Sequence, residues 1–135
     1  MRILLDTSGY SAVIRGHAGI VEFVHASEHV FLNPIILAEL QAGFLKGTQT
    51  RDNEHRLGKF LDQPGVGVVA IDAQTAERHA LIVAALRRAG TPRGTHDIWI
   101  AASAAQHGLH IVTCDRDFLV FDHVRVEFFE PVRGH

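Results

Sequence analysis

Four acidic residues stand where a short apolar run ends or where an otherwise apolar helix carries one acid. They are Asp6 after Ile3-Leu4-Leu5, Glu39 within Ile35 to Leu40, Asp97 before Ile98-Trp99-Ile100, and Asp115 after Leu109 to Cys114. An ionised carboxylate beside so much apolar surface is unfavourable unless a positive group meets it. No Lys or Arg adjoins Asp6, Glu39 or Asp97 in the sequence. The four acids are therefore candidates for one divalent-metal site.

The donor set of this candidate site favours a hard cation. Mg²⁺ and Mn²⁺ prefer oxygen ligands, and the Cys and His spacing of a zinc site is missing. With two ions roughly 3.5 to 4 Å apart, such a site stabilises the attacking and the leaving oxygen of phosphodiester cleavage. The spacing leaves one and two ions equally open. Three of the four acids also have an ordinary role, Asp6 as a helix cap, Glu39 as a solvated helix residue and Asp97 as a first-turn acid. Their joint placement favours the metal site.

Strands and helices alternate along the chain and decide where the acids lie. The patterns predict strands at residues 2–5, 30–32, 66–71, 109–113 and 124–129, and helices at 10–15, 17–27, 34–46, from about 53 to 61, at 73–89, and from 95 or 96 to 107. This alternation predicts a three-layer α/β/α sandwich with a mostly parallel sheet of about five strands, in one domain over residues 1–135. Ligands bind beyond the carboxyl ends of such strands, where Asp6 and Asp115 fall.

Composition excludes several classes of protein. The 135 residues are 47% hydrophobic with one cysteine, Cys114, which is typical of an intracellular globular protein and leads us to expect a cytoplasmic location. The start of the chain lacks the pattern of a signal peptide, and no apolar run reaches the roughly 20 residues that span a bilayer. A formal net charge of -2 argues against non-specific binding of nucleic acid through a basic coat. A bound cation would still attract phosphate locally.

Four segments of the chain resemble the PIN-domain ribonucleases, and within them the toxins of VapBC toxin–antitoxin pairs. The segments are Leu4-Leu5-Asp6-Thr7-Ser8, Ala38-Glu39-Leu40-Gln41-Ala42-Gly43, Asp97-Ile98-Trp99-Ile100-Ala101-Ala102 and Val112-Thr113-Cys114-Asp115-Arg116-Asp117-Phe118. Their order and spacing both fit, and the resemblance covers essentially the whole chain. It implies a PIN-like fold.

The resemblance also implies roles for particular residues. The acidic metal ligands of the family fall on Asp6, Glu39, Asp97 and Asp115, with Asp117 as a further acid, and Ser8 and Thr113 match small hydroxyl residues that line the site. His96 is a departure, because the toxins often have Asn there; it could hydrogen-bond to phosphate, cap the helix or do neither. We expect Asp6 to hold a metal ion rather than to cap the helix after it.

The activity that the resemblance implies is that of a Mg²⁺- or Mn²⁺-dependent endoribonuclease, the toxin of a type II pair. Such an enzyme hydrolyses RNA phosphodiesters with a metal-activated water, and Glu39 or Asp97 could assist proton transfer. The implied partners are the RNA substrate, a cognate antitoxin protein and a second copy of the chain in a homodimer. Around the loop before Asp97, Arg93 is the preferred phosphate contact and Arg87 a second one. Arg87 also suits the end of a helix.

Three other functions can be weighed against the sequence. A receiver-like phospho-acceptor module has a similar length and an Asp after its first strand, but it needs an acidic pair there and a late Lys, and no Lys follows Lys59. A haloacid-dehalogenase-like phosphatase needs a second Asp where Ser8 stands. A PIN fold without catalysis would bind only RNA or a partner, and the intact acids argue against it.

Overall fold

Five short strands form one sheet in the computed structural model, which describes residues 1–132. They are β1 (Arg2–Leu5), β2 (His29–Leu32), β3 (Val66–Val68), β4 (His110–Thr113) and β5 (Val126–Phe128). Their order is β3-β2-β1-β4-β5, and every neighbouring pair is parallel. The predicted parallel sheet of about five strands is confirmed.

Helices fill the connections between these strands. They are α1 (Thr7–Ile14), α2 (Ala18–His25), α3 (Pro34–Lys46), α4 (Thr50–Leu61), α5 (Ala73–Ala89) and α6 (Thr95–His107), and a 3-10 turn (Arg116–Val120) lies between β4 and β5. Together with the sheet they make the predicted three-layer α/β/α sandwich. Within residues 1–132 there is no helix with the length and hydropathy needed to span a membrane.

The strand order brings the carboxyl ends of two inner strands, β1 and β4, side by side. The chain winds outward from β1 through β2 to β3, then crosses back to β4 on the other side of β1. Ile3 pairs with His110 and Leu5 with Val112, so the carboxyl ends of the two strands lie side by side. A reversal of winding direction between adjacent parallel strands opens a crevice at their carboxyl ends, where ligands bind in this class of fold.

This order also decides against one alternative function. Receiver modules have the order 2-1-3-4-5, in which the first strand lies between the second and the third. Here β1 lies between β2 and β4. The receiver-like hypothesis is therefore wrong.

The central strands are buried on both faces. Ile3, Leu4 and Leu5 of β1 and Ile111 and Val112 of β4 have no exposed surface. Parallel strands covered by helices on both faces show such continuous apolar runs. The next residues, Asp6 and Thr113 onward, are therefore the first polar groups at the rim of the core.

Several predicted boundaries differ from the structure for local reasons. Helix α1 begins at Thr7 and not at residue 10, because the Asp6 side chain caps it by accepting from the Gly9 N–H. Helix α6 has Gly94 as its N-cap and no side-chain cap, so neither Thr95 nor His96 caps it. Strand β3 stops at Val68 because its partner β2 ends at Leu32, where the chain turns into α3.

Candidate metal centre and active site

Asp6 lies at the centre of a buried hydrogen-bond network. Its side chain is 3% exposed, and one oxygen accepts from the Gly9 backbone N–H at 2.7 Å. Thr113 Oγ1 donates to the other oxygen at 2.6 Å, and the Ser8 hydroxyl donates to the carboxylate at 2.8 Å. The expectation that Asp6 does not cap the helix was wrong, since the first helical turn bends back to its carboxylate. Ser8 and Thr113 thus both contact Asp6, and their role in lining a metal site stays a prediction.

Burial shifts the acidity of Asp6. Removal from water raises the pKa of this carboxyl from 3.8 to about 6, even though the hydrogen bonds from Thr113, Gly9 and Ser8 lower it. The nearby charge of Asp115 raises the pKa further. Asp6 therefore carries a negative charge that nothing within its own network neutralises.

Glu39 joins three helices at the same edge. It projects from the second turn of α3, and one of its oxygens accepts from the Thr7 hydroxyl of α1 at 2.6 Å. The other oxygen lies 3.3 Å from Nδ1 of His96 on α6. The His96 side chain is 61% exposed. His96 thus contacts a site acid and leaves the rest of its ring open to solvent.

Asp97 feels the charge of the other acids. It lies in the first turn of α6, and its pKa is raised first by burial and then by the charges of Asp115, Glu39 and Asp117. The positive charge of Arg93 opposes these effects. The charges of three carboxylates from other elements thus disfavour its ionised form, and we refer to Asp6, Glu39, Asp97, Asp115 and Asp117 together as the acid cluster.

The turn after β4 positions the remaining acids. Asp115 caps the 3-10 turn, because its carboxylate accepts from the Asp117 backbone N–H at 2.9 Å. Its own backbone N–H donates to Thr113 Oγ1 at 2.9 Å. One hydroxyl, that of Thr113, therefore connects Asp6 with the backbone that carries Asp115.

The two predicted phosphate contacts have different positions. Arg93 is exposed in the loop before α6 and acts electrostatically on Asp97. Arg87 is exposed in the last turn of α5. Among the described residues, no ion pair links Arg87 to an acid of the cluster. Of the two, Arg93 is the one that the structure brings to the acids.

The acid cluster suits a hard divalent cation in its chemistry. Its side-chain oxygens come from carboxylates and hydroxyls, and in residues 1–132 neither Lys nor Arg forms an ion pair with any of the five acids. Such a set selects Mg²⁺ or Mn²⁺ over zinc. As the side chains lie, no three His, Cys, Asp or Glu residues of the described chain are arranged to hold an ion. The Asp6 and Glu39 oxygens are instead taken by hydroxyls and by His96.

Two residues of the site escaped prediction. Thr7 orients Glu39 from 32 positions away, a contact that depends on how α1 and α3 cross. Gly9 lets α1 approach β4, since a Cβ atom there would lie 2.5 Å from the Val112 carbonyl oxygen. The only sequence signal was the run Thr7-Ser8-Gly9 of small residues after a buried strand.

The chain matches known proteins over nearly its full length. The profile of the PIN domain family matches residues 3–124. The ribonuclease VapC4 of Mycobacterium tuberculosis is 33% identical over 92 residues, which are 68% of this chain and 71% of that protein. The ribonuclease VapC5 of the same organism is 29% identical over 119 residues, 88% of this chain and 87% of that protein. The crystal structure of DNA-bound VapBC from Salmonella typhimurium contains a chain with a TM-score of 0.81 and 30% identity, covering 94% of this chain and 97% of that one.

Proposed function

The chain belongs to the PIN domain family, and on that premise we propose that it is an endoribonuclease, the toxin of a type II toxin–antitoxin pair. The proposal is supported by relatives that are named ribonucleases and by fold neighbours solved as VapBC complexes. One observation carries it. Acids that follow β1 and β4 or lie on α3 and α6 raise the pKa values of Asp97 and Asp6 through their negative charges. Within the described chain no Lys or Arg forms an ion pair with these acids.

Divalent-metal dependence is general among PIN-domain ribonucleases, and we assign the ion here to the acid cluster. Asp6, Glu39, Asp97 and Asp115 would hold Mg²⁺ or Mn²⁺, and Asp117 would support them. When bound, such an ion supplies the positive charge that attracts a phosphodiester and makes water more acidic. The hydroxyls of Thr113 and Ser8 position Asp6, while Thr7 and His96 position Glu39.

The chain's own groups have further tasks in this proposal. Glu39 or Asp97 would assist proton transfer during hydrolysis. Without a cation, burial and the neighbouring acids raise the pKa of Asp97, and a bound ion would lower it again. Arg93 at the mouth of the cluster binds the substrate phosphate, since a guanidinium forms bidentate hydrogen bonds with phosphate. Arg87 is a more distant phosphate contact at the end of α5.

The proposed partners follow from the same family. The chain is one catalytic domain over residues 1–135 that binds a cognate antitoxin and pairs as a homodimer. The antitoxin is supported by fold neighbours solved as VapBC, among them a member of the VapBC family of toxin–antitoxin systems from Mycobacterium tuberculosis. Exposed apolar side chains such as Leu45, 71% exposed on α3, offer apolar surface that such a partner would bury. RNA as substrate places the activity in the cytoplasm.

Cleavage of RNA by the purified protein tests the proposal. A panel of structured and single-stranded RNAs is incubated with Mg²⁺, with Mn²⁺ and with EDTA, beside an Asp97→Asn variant. We expect metal-dependent cleavage that EDTA stops and that Asp97→Asn slows on the order of 100-fold or more, because a ligand and proton acceptor is lost.

Asp52→Asn is the matched control, since Asp52 is also an acid in the first turn of a helix, α4, outside the cluster. It should cleave like the parent. Cleavage that persists in EDTA, or an Asp97→Asn variant as active as the parent, would show that the acids are not the catalytic centre.

A further inference from the structure

A groove of about 460 Å³ opens beside the acid cluster, between the turn after β4 and the end of β5. Its lining consists of Cys114, Asp115, Arg116, Phe128, Glu130 and Pro131. One lining residue, Asp115, belongs to the cluster, so anything bound in the groove lies next to the proposed site of cleavage. The volume is in the range of roughly 300 to 1,000 Å³ that is usual for small-molecule sites.

Arg116 is held in this groove by two contacts. Its guanidinium carbon lies over the Phe128 ring, 4.7 Å from the ring centroid, and its NH2 atom pairs with the Glu130 carboxylate. The aromatic face fixes the plane of the guanidinium. The side chain remains 66% exposed and that of Glu130 69%. The contacts therefore orient the cation without removing it from solvent.

The chemistry of the groove matches a nucleotide. A planar guanidinium donates two parallel hydrogen bonds to a phosphate, and Phe128 and Pro131 supply apolar surface to the lining of the groove. The larger cavity on the α1 side, about 610 Å³ and bounded by Arg15 and His17, has none of the five cluster acids in its lining. Of these two cavities, the groove at Arg116 is the one with a cluster acid, Asp115, in its lining.

We propose that this groove binds one nucleotide of single-stranded RNA adjacent to the phosphodiester that is cleaved, with Arg116 contacting its phosphate. Glu130 competes with that phosphate for the guanidinium, and Phe128 keeps the guanidinium in place. The inference rests on the proposed ribonuclease function and adds a substrate-positioning residue to it. Phosphate contacts fix the register of a nucleic acid without reading its sequence, so Arg116 acts on binding of many RNAs alike.

Binding without metal separates this role from catalysis. A fluorescently labelled single-stranded RNA is titrated in EDTA at several salt concentrations against the parent, Arg116→Ala, Arg116→Lys, Glu130→Gln and Arg125→Ala. Loss of one charged hydrogen-bonding contact should weaken binding by Arg116→Ala about tenfold. It should also reduce the slope of log K against log salt by about 0.7. The RNA affinity of Arg116→Lys should lie between those of the parent and Arg116→Ala, because Lys keeps the charge but not the planar guanidinium.

Glu130→Gln gives the opposite sign and excludes a merely structural ion pair. Removing the competing carboxylate should tighten RNA binding a few-fold. If the Arg116–Glu130 pair were only structural, Glu130→Gln and Arg116→Ala would both weaken RNA binding. Arg125→Ala is the matched control, because Arg125 is exposed and directly precedes β5, at the end of that strand opposite to Phe128. It should bind like the parent. Thermal unfolding of each variant establishes that it is folded.

Cleavage kinetics distinguish failure of this inference from failure of the proposed function. With Mg²⁺, Arg116→Ala should raise KM about tenfold and leave kcat within about twofold, as expected when uniform binding is lost. A parent that cleaves RNA beside an Arg116→Ala variant with unchanged KM, Kd and salt slope overturns the groove alone. A parent that cleaves no RNA overturns the ribonuclease, and the metal-free titration still decides whether the groove binds RNA. Weaker binding by Glu130→Gln also contradicts the groove.

Discussion

Asp6 combines a structural and a proposed catalytic role in one carboxylate. The same group that accepts the Gly9 N–H and begins α1 also faces the charge of Asp115. As a helix cap it needs only an acceptor oxygen, which an amide also provides. As a metal ligand it needs its full charge. The charge, rather than the cap, is therefore what a neutral replacement would remove.

The raised pKa of Asp6 predicts how stability depends on pH in the absence of metal. Above about pH 6 the group is ionised in both the folded and the unfolded state, and the folded state bears the full penalty of burial. Between pH 6 and pH 4 the folded state takes up a proton that the unfolded state does not, so stability rises as pH falls. A shift from 3.8 to about 6 corresponds to a penalty of about 3 kcal/mol at neutral pH.

Asp6→Asn should therefore stabilise the metal-free protein at pH 7.5 by roughly 1 to 2 kcal/mol. The amide keeps the cap and removes the buried charge, while loss of the hydrogen bond that Thr113 donates to the second oxygen costs about 1 kcal/mol. The gain should disappear near pH 4. Urea denaturation in EDTA at both pH values measures it, and Asp122→Asn at an exposed position is the control that should change neither. An Asp6→Asn variant less stable than the parent at pH 7.5 would show that burial of the ionised Asp6 carboxylate does not destabilise the folded state.

The junction of α1 with β4 positions the site at the level of elements. Gly9 faces the end of β4 so closely that an added Cβ would lie 2.5 Å from the Val112 carbonyl oxygen and 3.1 Å from the Asp6 carboxylate. Real Cβ atoms do not approach a backbone oxygen that closely, so α1 would have to move. The helix start, the Asp6 cap and the Ser8 contacts depend on this approach.

Gly9→Ala should lower the free energy of unfolding by roughly 2 to 4 kcal/mol, because overpacking and loss of the cap add together. Gly43→Ala in α3 is the control with opposite sign, since open space surrounds Gly43. There alanine should stabilise the helix by about 0.5 to 1 kcal/mol. Urea denaturation of both variants measures the difference, and two similar values would mean that α1 and β4 have room to separate.

Elements with strong local signals were predictable from the sequence. Helix α3 begins with the expected Asn33 cap and Pro34 at its first position, and α5 spans the predicted residues 73–89. The placement of Asp6 and Asp115 directly after β1 and β4, two neighbouring strands, followed from the strand ends in the sequence. The contact between Thr7 and Glu39 did not, because it depends on the crossing of α1 and α3. Arg116 and Phe128 likewise meet only through the pairing of β4 with β5.

Across the whole molecule the formal net charge is only -2, yet the negative charges of the acid cluster repel one another. Burial and mutual repulsion raise the pKa values of Asp6 and Asp97. A cation that binds the folded state and not the unfolded one relieves that repulsion and stabilises the fold.

Mn²⁺ or Mg²⁺ should therefore raise the melting temperature of the parent in a concentration-dependent way, by the equivalent of about 2.7 kcal/mol at a hundredfold excess over Kd. The effect should be much smaller in Asp97→Asn and unchanged in Asp52→Asn. Differential scanning calorimetry, which needs no substrate, measures it. An equal response in parent and Asp97→Asn would place the ion elsewhere.

The pairing of β1 with β4 also determines when the acid cluster can assemble during translation of the chain. The hydrogen bond between Thr113 and Asp6 spans 107 positions. At a ribosomal rate of roughly 5 to 20 residues per second, Asp6 is made on the order of 5 to 20 s before its partner. Until then the chain lacks Thr113 and Asp115, so the acid cluster is incomplete. A message broken before codon 113 yields a product without the proposed nuclease centre.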